Sequence, residues 1–144
     1  MARLILELPE QFTFTTEIPV LIGHINYGGH VGNDAILSLI HEARFRYLKQ
    51  LGYCSELDIE GLGMIMTDTA IIYKAEAFHG ETMLVQVTPQ DFNKYGCDFI
   101  FKLTNQQTGK EIARAKTGIV FFDYLQRKVV EIPTEFRKKS QSNV

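Results

Sequence analysis

The sequence predicts an α+β domain in which an antiparallel sheet of five or six strands wraps around one long central helix. Three observations predict it. Only one stretch, from about Ala35 to Leu51, holds a helical period over several turns. One strand-like segment precedes it. Everything after it reads as short alternating segments separated by turn residues, which is the pattern of an antiparallel meander. A helix with a wide apolar stripe and a sheet with one wet face are most economically packed with the sheet curled around the helix. The 144 residues are expected to make one domain, 1–144, with 138–144 a frayed tail.

The elements follow in chain order. Phe12, Phe14, Thr16, Ile18 and Val20 alternate with Thr13, Thr15, Glu17 and Pro19, a period of two. Pro19 lacks an N–H and suits an edge or a strand end. In the helix, Ile36, Ile40, Ala43, Tyr47 and Leu51 recur at three- and four-residue steps, and Leu37, Leu39 and Leu48 widen the stripe. Asn33 is the expected N-cap, Asp34 adds negative charge to the first turn, and Gly52 stands past the end. Glu42 and Arg46 are spaced for an i,i+4 pair. Ser55 to Glu60 reads as a short second helix stopped by Gly61. Met64 to Tyr73 is a long apolar strand, and Phe78 to Glu81 a turn. Met83, Val85 and Val87 mark the next strand, and Asp91 to Gly96 a turn. Cys97, Phe99, Phe101 and Leu103 mark another, Asn105 to Lys110 is a hairpin loop, and Ile112 to Phe122 is a further strand. Lys128 to Ile132 reads as a short last one.

Composition excludes several classes. Apolar residues are 45% and charged residues 22%, which is globular, and the net charge of -2 gives no electrostatic footprint for nucleic acid. Arg137-Lys138-Lys139 reads as a solvated tail. Cys54 and Cys97 lack metal-ligand spacing and read as free thiols in a reducing cytosol. No stretch has the form of a signal peptide, and none approaches the ~18 apolar residues of a membrane span. The expectation is a cytoplasmic protein without nucleic-acid or membrane partners.

The chain is organised around Asn26-Tyr27-Gly28-Gly29-His30-Val31-Gly32-Asn33-Asp34, which runs straight into the helix. The first helical N–H groups lack internal partners and the dipole is positive there, so anions and polarised carbonyl oxygens are favoured. Glycine at 28, 29 and 32 lets the backbone approach a ligand closely and take up φ > 0.

This order, length and loop resemble the hotdog fold, specifically the 4-hydroxybenzoyl-CoA thioesterase-like branch of acyl-CoA thioesterases. The resemblance rests on Asn26, Gly29, His30, Val31 and Asn33, on Glu42-Ala43-Arg44 in the helix, and on Gly52, Tyr73, Gly80-Glu81 and Ile132-Pro133. It runs from about Phe12 to Pro133. It implies hydrolysis of an acyl-CoA or acyl-carrier thioester, with no metal or redox cofactor. It also implies a homodimer or homotetramer whose sheets join edge to edge, with active sites at the interface near the helix N-terminus.

The resemblance departs at one point of chemistry. The loop position that carries a catalytic Asp in that branch is Asn26 here, and the earlier acidic position is His24. Thioester hydrolysis needs an oxyanion site and an activated water or enzyme nucleophile. Backbone N–H groups from His30 to Gly32 are the expected oxyanion donors. The candidate catalytic side chains are Asn26, His30, Asp34 and His24. The candidate substrate contacts are Tyr27, Gly28, Gly29, Val31, Gly32, Asn33 and Thr69. Imidazole can give or take a proton near neutral pH, whereas the Asn26 amide can orient but cannot act as a base. Glu42 is a further carboxylate on the helix, spaced for Arg46, and His41 and His79 read as incidental. Of Asp68 and Thr69, one faces inward. The alternatives are a hotdog enoyl-CoA hydratase or dehydratase, the hydratase loop Gly-Asp-x-Asn-Pro-x-His being partly matched from Gly23 to His30, and a non-catalytic acyl-CoA or acyl-carrier binding protein.

Overall fold

The computed structural model describes residues 3–141. In order they form β1 (Phe14–Pro19), a 3-10 turn (Ile22–His24), α1 (Asn33–Gln50), β2 (Gly63–Tyr73), β3 (Thr82–Gln90), β4 (Gly96–Asn105), β5 (Glu111–Asp123), β6 (Lys128–Val130) and α2 (Thr134–Gln141). The sheet is antiparallel in the order β1-β3-β4-β5-β2, and β6 also pairs with β5. The β4–β5 ladder ends at Gly96↔Val120, and β6 takes over opposite Phe121 to Asp123. Gly96 makes that ending possible, because a Cβ there would lie 1.9 Å from the Ile119 carbonyl oxygen. β1, with Pro19, is an edge strand, as a residue without an N–H requires.

α1 lies on one face of the sheet. Its buried residues are Ala35, Ile36, Leu39, Ile40, Ala43, Arg44, Tyr47 and Leu48. They share one core with Val85, Val87, Phe99, Phe101, Leu103, Ala115, Ile119 and Phe121 from the inner face. Tyr47 is the central contact, with its ring edge-on to Phe99 at 5.9 Å and tilted against Phe14 at 5.6 Å. On the outer face, the Leu6 carbonyl of the N-terminal segment accepts a 2.8 Å hydrogen bond from Arg114.

Three local expectations are corrected. Gly32, not Asn33, is the N-cap of α1, with φ -68 and ψ 154, and Asn33 is the first helical residue. Ser55 to Glu60 is a pair of turns rather than a helix. There the Ser55 hydroxyl accepts from the Leu57 N–H at 3.0 Å and the Asp58 carboxylate from the Gly61 N–H at 3.1 Å. Six residues are too few to repay helix nucleation when side chains offer the backbone these alternatives.

The third correction concerns the tail, expected to fray from 138. Residues up to 141 are helical in α2, and 142–144 lie outside the described residues. Phe136 is fully buried against Phe121, at 5.0 Å between ring centres, and Ser140 is buried one turn later.

Candidate active site

The loop before α1 is a miniature hairpin. Ile25 bridges Val31 in antiparallel fashion, the Asn26 N–H donates to the His30 carbonyl at 2.9 Å, and the Gly32 N–H to the His24 carbonyl at 3.0 Å. Its tip is a turn closed by the Gly29 N–H on the Asn26 carbonyl at 3.1 Å, with Gly29 at φ 85. The Asn26 side chain holds the same turn, its Oδ1 accepting from the Gly28 N–H at 2.9 Å. Asn26 therefore builds the loop. A methyl group on Gly28 would sit 3.2 Å from Asn26 Oδ1 and 3.3 Å from His30 Nε2, so glycine lets these two side chains converge.

One more backbone bond decides what the loop faces. The Val31 N–H donates to the Ala77 carbonyl at 2.8 Å, pinning the loop to the connection between β2 and β3. Val31 and Ala77 are both buried at this joint. Their preceding residues, His30 and Glu76, are thereby brought together, with Nε2 3.9 Å from Oε1. The other ring nitrogen, Nδ1, lies 3.1 Å from the Val31 carbonyl. Since a carbonyl only accepts, that contact assigns the proton to Nδ1 and leaves the Nε2 lone pair facing Glu76 in the neutral ring.

His30 and Glu76 line a cleft of about 280 Å³ together with Asn33, Ile36, Tyr73, Lys74 and Ile112, among others. Tyr73 closes one side, its hydroxyl donating to the Asn33 carbonyl at 3.1 Å and tying the end of β2 to the first residue of α1. The expected oxyanion donors are partly reassigned. The Val31 and Gly32 amides are consumed by Ala77 and His24. The amides of His30 and Asn33 have no hydrogen-bond partner among the described residues, and both residues line the cleft.

The remaining candidates divide. Val31 lines the cleft; Tyr27, Gly28 and Gly29 are exposed and are not among its lining residues. Asp34 is exposed, and its Oδ1 lies 2.6 Å from where a Cβ on Gly32 would be. His24 does not join His30. Its Nδ1 accepts from the Leu21 N–H at 2.9 Å, and its ring lines a cleft on the other flank of α1 with Glu42 and Arg46. Glu42 pairs with Arg46 at 2.7 Å. His41 Nε2 and Arg44 Nε are each 3.2 Å from Glu56 Oε1. Thr69 is the inward residue of its pair and lines a separate cleft with Arg44 and Thr117. Asp68 faces outward to Lys116 at 2.5 Å, and this hydrogen bond holds its carboxyl below the usual range.

Glu76 was not legible in the sequence. It lies between apparent turn residues with no motif around it, and only the register of the Val31–Ala77 bond carries it to His30.

The model of the thioesterase-like superfamily matches residues 20–140. No curated protein matches the chain. Among solved structures, a 1,4-dihydroxy-2-naphthoyl-CoA thioesterase from Synechocystis superposes with a TM-score of 0.81 at 21% identity, covering 88% of this chain and 93% of its own. YbaW, a probable thioesterase from Escherichia coli, gives 0.76 at 22% identity, over 87% and 94%. A DHNA-CoA thioesterase from Staphylococcus aureus gives 0.78 at 18%, over 89% and 88%. At these identities the likeness is one of fold.

Proposed function

We propose that the chain, which belongs to the thioesterase-like superfamily, hydrolyses an acyl-CoA whose thioester carbonyl is held in the cleft at the start of α1. The observation that carries this assignment is that His30 and Asn33, whose amides have no hydrogen-bond partner among the described residues, both line one small cleft at a helix N-terminus, together with the His30 imidazole. Amides and helix dipole favour negative charge on the thioester oxygen as water adds to the carbonyl carbon. The carbon–sulfur bond then breaks, giving a carboxylic acid and the CoA thiol. Losing one such donor costs about 10²–10³ in rate elsewhere. One of the structurally similar proteins is named for 1,4-dihydroxy-2-naphthoyl-CoA, so aromatic thioesters belong among the test substrates.

The working form in this reading is at least a dimer joined along β2, one of whose long edges is unpaired among the described residues. The replacement of a loop carboxylate by Asn26 favours a second reading, a binding protein for acyl-CoA or acyl-carrier thioesters without turnover.

The experiment is detection of free CoA from acetyl-, octanoyl-, palmitoyl- and benzoyl-CoA, with His30→Ala alongside. Exposed Cys54 supplies a constant protein-thiol background to subtract. The expected result is turnover of at least one thioester, reduced about tenfold or more in the variant. Tight binding with no release of CoA would replace the enzyme by the binding protein.

A further inference from the structure

Resting on that reading, we propose that Glu76 is the catalytic carboxylate of this protein, in place of the acid missing at Asn26, and that it shares the attacking water with His30. Hydrolysis needs a group that removes a proton from water as its oxygen bonds to the carbonyl carbon. Within the cleft Glu76 is the one carboxylate among the lining residues. Asp34 and Glu42 are absent from that lining, and Glu42 is engaged by Arg46.

The geometry specifies how the pair works. With Nδ1 directed at the Val31 carbonyl, Nε2 of the neutral His30 ring and Glu76 Oε1 are both acceptors, 3.9 Å apart. A water about 2.8 Å from each sees the two acceptors about 88° apart, so each of its hydrogen bonds bends by only about 8° from linear. It gives one hydrogen to each acceptor and keeps a lone pair free. As that lone pair bonds to the thioester carbon, one proton passes to Glu76. The amides of His30 and Asn33 take the oxyanion. When the tetrahedral centre collapses, the carbon–sulfur bond breaks, the electron pair leaves with sulfur, and the Glu76 proton neutralises the thiolate. The sum is one water and one thioester in, one acid and one thiol out, with Glu76 again ionised.

Position also separates this role from a structural one. The Glu76 side chain is 64% exposed and makes no hydrogen bond among the described residues, so removing its charge leaves the fold intact.

The test compares wild type, Glu76→Gln and Glu76→Asp on the four acyl-CoAs named above, with and without hydroxylamine. Hydroxylamine attacks a thioester through a neutral nitrogen and does not need the base. We expect Glu76→Gln to lose about 10²-fold or more in kcat with KM changed little, the scale of a lost general base. Glu76→Asp, with the carboxylate retained, keeps an intermediate rate. Hydroxylamine restores CoA release by Glu76→Gln toward that of wild type, after subtraction of the reaction without enzyme. A merely structural Glu76 would give no such rescue. Wild-type turnover with Glu76→Gln hydrolysing within about threefold of it would overturn the role of Glu76 and leave the thioesterase standing. Turnover lost in Glu76→Gln without rescue by hydroxylamine would also overturn it. No turnover by wild type would remove both readings.

Discussion

Thr117 is 1% exposed on the inner face of β5, yet its hydroxyl has no hydrogen-bond partner among the described residues. Its neighbours in the adjoining cleft are Arg44, itself buried, Thr69 and Met66. A buried hydroxyl without a partner costs about 1–3 kcal/mol. Thr117→Val keeps the shape and removes the need. In the isolated fold this substitution is expected to raise stability by about 1 kcal/mol, read as an upward shift of the urea midpoint at unchanged m-value. A lowered midpoint would mean that the hydroxyl acquires a partner when two chains meet along β2. The contrast with Asn26 is instructive. Asn26 is polar and half-buried at the site, but its Oδ1 accepts the Gly28 N–H and so holds the turn. Occupied groups build a site, and groups with spare capacity are where a site meets something else.

Among the elements, α2 is the one whose contribution exceeds its sequence signal. Its eight residues, TEFRKKSQ, carry a single large apolar side chain amid charge, so no helical stripe is visible. That side chain, Phe136, is fully buried between Phe121 and Tyr53, and the Ser140 hydroxyl donates to the Phe136 carbonyl at 2.7 Å one turn away. Phe136→Ala is expected to destabilise the protein by about 3–5 kcal/mol, the range for truncating a buried aromatic. A loss below 1 kcal/mol would mean that α2 frays in solution. The elements that were legible had period: α1 repeats its apolar residues over five turns, and β3, β4 and β5 alternate. The glycine loop was legible because helix-start chemistry is local. Glu76 and α2 were not, since each depends on contacts between residues far apart in the chain. Ser55 to Glu60 was misread because Ser, Asp and Gly mark turns as readily as short helices.

At the scale of the whole molecule, carboxylates on the outer face pull stability in opposite directions as pH falls. The Lys116 and Arg114 side chains, hydrogen-bonded to Asp68 and Glu111, hold those two carboxyls below their usual range. Each such group stabilises the fold at neutral pH, and its contribution is lost as pH falls through the depressed folded value. Asp98 behaves the other way. Burial pushes its carboxyl up, although Lys116 lies 3.7 Å away and opposes the shift. The folded chain therefore binds that proton more readily than the unfolded chain, so acid favours folding at this site. Asp98→Asn removes that offset while keeping size and hydrogen-bonding capacity. The variant is expected to match or exceed wild type in Tm at pH 7 and to lose Tm more steeply toward pH 4. Asp68 is largely exposed, so screening by salt reduces its share, and the difference between the two proteins should persist at high ionic strength because it originates in burial. Parallel Tm profiles would show that Asp98 takes up its proton equally in both states, and that the Lys116 ammonium compensates its burial in full.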